Sequence, residues 1–293
     1  MPPAAGAAGP HGMRYPDLPD EPEARINPHY PAAARAAEEF IATCPNLSTA
    51  EREVLLEEDL GIIAACGWPL MSRDTLCAST QFLVTVVARD DRIDEGDTDG
   101  AAALDEANAH GLQRLLKTLP TASAQRVARA ARAEAEWARG PCAPSASVEA
   151  YLEYMHGAGQ QLGVELTAAG AGGAYTRMLD AAEAQEFMRL NADLMRLAND
   201  IVGAPREMSE AGARLNAVVV HQRLTGCTAQ QALDACLELY HRLRERYAYE
   251  RQELARREGF EMMCAHLHAM YCGLVFATKR SPRYQRYWIQ PAR

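Results

Sequence analysis

From Phe82 to Ala88 the chain is apolar at all but Thr85, and three carboxylates then arrive at Asp90, Asp91 and Asp94. This stretch limits what the chain can fold into. Strand-type alternation is absent from it, and on a helix of about 100° per residue Asp90 and Asp94 fall about 40° apart, with Asp91 beside them. An apolar helix that ends in carboxylates needs a buried body and a polar end at the mouth of a cavity. Carboxylates on one face suit Mg²⁺, a hard cation that takes oxygen ligands and fills its remaining positions with water or phosphate oxygens. The same string also fits a solvated helix end running into a turn at Gly96. A second oxygen-rich cluster elsewhere in the chain decides between the two readings.

The rest of the sequence reads as helix. Ser48-Thr-Ala-Glu51 has the spacing of a capping box ahead of Val54, Leu55 and Leu56. Ala101–Thr118, Ser123–Ala138, Val148–Ala168, Asp180–Val202, Thr228–Glu258 and Phe260–Ala277 carry helical periodicity, and no stretch alternates as a strand would. The expectation is an all-α protein of about ten helices, bundled around an apolar central cavity. Residues 1–24 are rich in Pro, Ala and Gly and predict a disordered or lid-like segment ahead of one helical domain over 25–293. The net charge of −9 argues against a nucleic-acid surface. No apolar run reaches the ~20 residues that span a bilayer, and the N-terminus lacks the basic start and apolar core of a signal peptide. Eight cysteines without CxxC or zinc spacing are expected to be reduced thiols, which places the protein in the cytoplasm.

The second cluster lies at 190–207. Asn199, Gly203 and Glu207 recur every four residues and share one helix face. Asn199 and Glu207 offer oxygen, Gly203 leaves room between them, and Arg206 adds a cation beside them. Facing the first cluster across a bundle, they would make a site for several Mg²⁺ ions and a diphosphate.

The pair resembles the class I terpene synthases, and the bacterial terpene cyclases in particular. Asp90-Asp91-Arg92-Ile93-Asp94 looks like their DDxxD motif and Asn199 to Glu207 like their NDxxSxxxE triad. Arg283-Tyr284 looks like their C-terminal RY pair, and Arg25-Ile-Asn-Pro-His29 is similar to their approach to the first helix. The order and rough spacing agree over about residues 25–290. The resemblance implies a class I terpenoid synthase-like helical fold and three Mg²⁺ ions, held by Asp90, Asp91, Asp94, Asn199 and Glu207. Arg206, Arg283 and Tyr284 would bind the diphosphate. It further implies ionisation of a C15 or C20 prenyl diphosphate, with a bicyclic diterpenyl diphosphate among the candidates, and cyclisation to a hydrocarbon or alcohol. Residues 210–220 resemble the diterpene members over a string too short to assign a substrate. Trp68, Phe82, Phe187 and Phe276 are candidates to line the cavity, where a ring face stabilises a cation, although each also fits an ordinary core position. The expected partner is a small-molecule prenyl diphosphate, with the protein a monomer or homodimer. Two alternatives stay open: a trans-prenyl diphosphate synthase, which would use a second aspartate-rich motif, and an inactive helical binding protein of the same fold.

Three departures stand out. Gly203 replaces the triad's hydroxyl. Pro205 removes a hydrogen bond to Ile201, which predicts a kink. The stretch Glu153–Gly159, where the family carries a diphosphate-sensing Arg, has glycines and His156 but no Arg. The basic residues Lys279, Arg280, Arg283 and Arg286 predict a mobile tail that folds over bound diphosphate.

Overall fold

The computed structural model describes residues 3, 6, 7, 9–94, 96–138, 147–155, 160–209 and 216–289, excepting the side chains of 94, 137, 138, 160, 209 and 289. Among these residues every regular element is helical. The helices are α1 (Tyr30–Thr43), α2 (Thr49–Glu57), α3 (Leu60–Gly67), α4 (Arg73–Asp94), α5 (Thr98–Ala103), α6 (Asp105–Lys117), α7 (Thr121–Ala138) and α8 (Val148–Met155). They continue with α9 (Gln160–Gly170), α10 (Ala182–Ser209), α11 (Ala217–Thr225), α12 (Ala229–Ala255), α13 (Glu261–Arg280) and α14 (Pro282–Ile289).

Local signals explain many of the boundaries. Ser48 and Glu51 close the expected capping box on α2, and Thr228 with Gln231 forms another on α12. Asp97 caps α5 by accepting from the Gly100 N–H, so the region expected as one helix over 101–118 divides into α5 and α6. α8 is described to Met155 and α9 from Gln160, and Gly157 and Gly159 lie outside the described residues. By contrast, α10 continues for four residues beyond Pro205, which keeps the whole second cluster on one element.

Two long helices carry the architecture. The first, α4, packs between α1 and α6, while α10 lies against α12 and α13. Between these groups stands α3, which touches α1, α4 and α13 at close quarters. A Cβ on Gly61 would come within 2.7 Å of Ala34 Cα, and one on Gly273 within 1.9 Å of the Cys66 carbonyl oxygen, so both crossings require glycine. The larger core runs from Tyr151 and Phe187 through Leu194, Ile201, Tyr240 and Tyr271 to Trp288, and a second core joins Leu76, Phe82, Leu115, Val127 and Leu166.

The chain ends are packed onto this frame. Met13, Tyr15 and Leu18 are buried, and Lys279 Nζ donates to the carbonyls of Leu18 (2.7 Å) and Pro19 (3.2 Å). Instead of a mobile tail, residues 282–289 form α14. Trp288 Nε1 donates to the Val202 carbonyl at 2.7 Å, and Tyr15 meets the Trp288 ring edge-on at 5.2 Å. Burial of Trp288, Tyr284 and Arg283 outweighs the repulsion of a basic segment because acidic partners wait beneath it. Seven described cysteines are free thiols, five of them buried. No helix among the described residues is long and apolar enough to cross a membrane.

Candidate active site

The C-terminal ends of α4 and α10 meet under α14. Asp91 on α4 accepts hydrogen bonds from Arg206 on α10 and from Arg283 on α14, the latter through Nη1 at 2.9 Å and through Nη2. Burial alone would raise the Asp91 carboxyl, but the two guanidiniums hold it below the usual carboxylate range. Arg283 Nη1 also reaches both oxygens of Glu58 at 2.9 Å, and Arg286 stands 3.3 Å from the same carboxylate. Glu58 is almost fully buried, and burial pushes its carboxyl up against the opposing pull of Arg283.

Beside this ion cluster Asn199 Nδ2 donates to the Tyr284 hydroxyl at 2.9 Å. The Tyr284 ring covers Gly203, and Glu207 folds back over the same glycine. A Cβ at Gly203 would meet Glu207 Oε1 at 2.9 Å and Tyr284 Cε1 at 3.3 Å. On its other side Glu207 borders a cavity of about 380 Å³ shared with His11, Gln222 and Arg223. The two sequence clusters and the RY pair therefore come together as one site.

Asp90 differs from its neighbour. It makes no side-chain hydrogen bond among the described residues and is solvent-accessible, yet protein encloses it strongly enough to raise its carboxyl, with Asp91 adding to the effect. Glu134 on α7 has the same character, and burial together with Asp90 pushes it up to about 7. Arg196, one turn before Asn199, is partly buried, with Nε 2.9 Å from Asp200 Oδ1 and donating to the Tyr151 hydroxyl at 2.8 Å.

The arrangement suits hard cations without being a finished metal centre. Among the described residues no three His, Cys, Asp or Glu side chains converge on one point. The oxygen donors stand on opposite helices, and Asp91 is taken up by arginines. An enclosed carboxylate without a hydrogen-bond donor, as at Asp90, is the uncompensated charge a divalent cation can neutralise. Asp94 is the last residue of α4, and its side chain lies outside those described, as does His156.

Within the DDxxD string, Arg92 turns away from the site. Its Nε and Nη2 donate to the Glu51 carboxylate at 2.6 and 3.0 Å, tying the end of α4 to the start of α2. The four aromatic candidates sit elsewhere. Trp68 lies beyond the opposite end of α4, near Met71 and His266. Phe82 packs against Gly111, and Phe187 stacks on Tyr247 with centroids 5.1 Å apart. Phe276 lies under the Arg280 guanidinium, 3.8 Å from the ring centre. Their observed surroundings are packing contacts. Sequence reasoning missed Glu58, Glu134, Tyr151 and Arg196. None of them belongs to a motif; Arg196 sits at helical spacing ahead of Asn199 on α10, whereas Glu58, Glu134 and Tyr151 lie on other parts of the chain.

The family model for terpene synthase family 2, C-terminal metal binding, matches residues 97–246. That span includes Asn199–Glu207 and leaves out Asp90–Asp94 and Arg283–Tyr284. Among solved structures, a single-substitution variant of cucumene synthase shares the fold with a TM-score of 0.72 at 15% identity, covering 92% of this chain and 100% of that one. No curated protein matches the chain in sequence.

Proposed function

The chain belongs to terpene synthase family 2, whose model spans just over half of it, and on that premise we propose that it is a class I terpene cyclase acting on a C15 or C20 prenyl diphosphate, bicyclic diterpenyl diphosphates included. One observation carries the reading. Two guanidiniums from different helices, Arg206 and Arg283, converge on the single carboxylate of Asp91. Arg283 is shared with Glu58, and a diphosphate can exchange for these carboxylates with the paired N–H geometry that guanidinium prefers.

Asp90 and Asp94 on α4 and Asn199 and Glu207 on α10 are the residues that would hold Mg²⁺, with three ions expected from the family resemblance. Bound there, Mg²⁺ would supply Lewis acidity toward the leaving group. The allylic C–O bond then breaks, with both electrons staying on the diphosphate. Arg206 and Arg283 donate to its oxygens where that charge grows, and the Tyr284 hydroxyl holds Asn199 in orientation. Docked α14 excludes water, so the cation is attacked by the substrate's own double bonds first. Proton loss ends the sequence as a hydrocarbon, and capture of a water ends it as an alcohol.

Incubation with C10, C15 and C20 prenyl diphosphates and a bicyclic diterpenyl diphosphate, with Mg²⁺ and product analysis, tests the reading. The expected result is a cyclic product and free diphosphate from at least one C15 or C20 substrate. Failure to release diphosphate from any of them overturns it. So does consumption of isopentenyl diphosphate into longer chains.

A further inference from the structure

We propose that Glu58 is the positioning residue for Arg283. It anchors the guanidinium on one edge, so that the forked edge can pass from Asp91 to a diphosphate without Arg283 losing its place. The proposal rests on the terpene cyclase reading and adds a residue that none of the motifs contains.

Arg283 meets its two carboxylates on different edges. Nη1 and Nη2 together face Asp91, the first donating to Oδ2 at 2.9 Å and the second to Oδ1. That is the paired edge on which a guanidinium takes a carboxylate or a phosphate. Glu58 meets Nη1 alone, 2.9 Å from each of its oxygens. Nη1 carries two hydrogens, and one of them serves Asp91. The other points away from the fork, toward Glu58. Of the carboxylates that a diphosphate can displace from Arg283, Asp91 therefore occupies the edge that the ligand needs, and Glu58 does not. The Asp91 side chain is 18% exposed and that of Glu58 only 1%, so an incoming anion reaches Asp91 first.

A tight turn holds Glu58 in place. Glu58 follows the last residue of α2, and Asp59 after it has φ 46° and ψ 60°. This left-handed conformation is uncommon for a residue with a side chain, and Asp is among those that adopt it most readily. Both Asp59 oxygens lock it there. Oδ1 caps α3 by accepting from the Ile62 N–H at 3.2 Å, and Oδ2 accepts from the Tyr30 hydroxyl at 2.7 Å. The turn presents Glu58 beneath α14, where Arg286 Nη2 lies 3.3 Å from Oε1, one of the oxygens that Arg283 contacts.

The charge of Glu58 and its anchoring act in opposite directions. By charge alone, a carboxylate beside the site repels a diphosphate. By anchoring, it pre-organises Arg283, so that binding an anion costs little further side-chain ordering. Glu58→Gln keeps the shape and removes the charge, and the sign of its effect separates the two.

Calorimetric titration of inorganic diphosphate with Mg²⁺ into the full chain, for wild type and Glu58→Gln, reads that sign. Thermal unfolding shows whether the variant folds. Folded Glu58→Gln is expected to bind about tenfold more weakly than wild type, although it has lost a negative charge. Equal or tighter binding overturns the proposal and leaves Glu58 as a counter-charge for α14. A purely structural role would lower the melting temperature and leave the affinity of the folded protein unmoved. A crystal structure of the wild-type chain with Mg²⁺ and inorganic diphosphate needs no variant and decides the matter if Glu58→Gln does not fold. Arg283 Nη1 should stay within about 3.2 Å of Glu58 while its fork holds the diphosphate in place of Asp91. Separation of Arg283 from Glu58, or a fork still on Asp91 with the diphosphate bound elsewhere, overturns the proposal. Absence of diphosphate binding by wild type itself counts against the cyclase reading, and the proposal falls with it.

Discussion

At Gly203 the carboxylate of Glu207 and the ring of Tyr284 occupy the space that a hydroxyl-bearing side chain would take. Glu207 is a flexible side chain whose end can move, whereas the ring is pinned by Asn199 and can give only a few tenths of an ångström. Gly203→Ser is therefore expected to fold, with Glu207 displaced and a stability loss of about 1–2 kcal/mol from crowding. Denaturant unfolding measures this, and a loss beyond about 4 kcal/mol would mean that the ring cannot yield. Glu207→Gln keeps the shape and removes the charge. It should raise the Mg²⁺ concentration for half-maximal rate about tenfold and leave stability within about 0.5 kcal/mol. An unmoved metal curve would return Glu207 to an ordinary polar helix face. Asn199, Gly203 and Glu207 were legible as a group because helical periodicity is a local rule. Glu58 and Tyr151 were not, because a residue's partner on another helix leaves no trace at fixed spacing.

Among the elements, α4 owes the position of its acidic end to Arg92, the variable residue inside the DDxxD string. The Arg92 guanidinium, with hydrogen bonds from Ser48, lowers the Glu51 carboxyl to about 2. A folded-state value below the unfolded one gives stability that is complete above about pH 4.5 and is lost as the pH falls toward 2. With the Glu51 side chain 31% exposed, solvent screening reduces the contribution to about 1–2 kcal/mol. Glu51→Gln should destabilise by that amount at pH 6, and its difference from wild type should narrow steadily from pH 5 to pH 3. A difference independent of pH would place the effect in packing. For α14 the holding group is Trp288, only 2% exposed. Trp288→Ala should cost about 3–5 kcal/mol locally and speed hydrogen exchange over 282–289 at least about a hundredfold. Unchanged exchange would mean that the Arg283 ion pairs suffice to dock the helix. The tail's basic composition gave a mobile reading because Glu58 and Asp91, the acids that neutralise it, lie more than 190 residues away in sequence.

Across the whole molecule, an all-α bundle was legible from periodicity, and the order of the motifs placed the site at one end of it. How the chain ends pack was not legible. Pro-rich composition cannot show that Tyr15 will meet Trp288 or that Lys279 will bind the carbonyls of Leu18 and Pro19. The central claim is that α4 and α10 jointly hold the metal that drives diphosphate departure. Asp90 separates function from stability well, because it is solvent-accessible and makes no side-chain hydrogen bond among the described residues, so truncating it removes little that holds the fold. The decisive measurement is inorganic diphosphate release from C15 and C20 prenyl diphosphates as Mg²⁺ is titrated, for wild type and Asp90→Ala, alongside their melting temperatures. Release by wild type that requires Mg²⁺, and that falls at least about a hundredfold in Asp90→Ala with an equal or higher melting temperature, is the predicted result. Release that persists in chelator, or that survives in Asp90→Ala, would contradict the account.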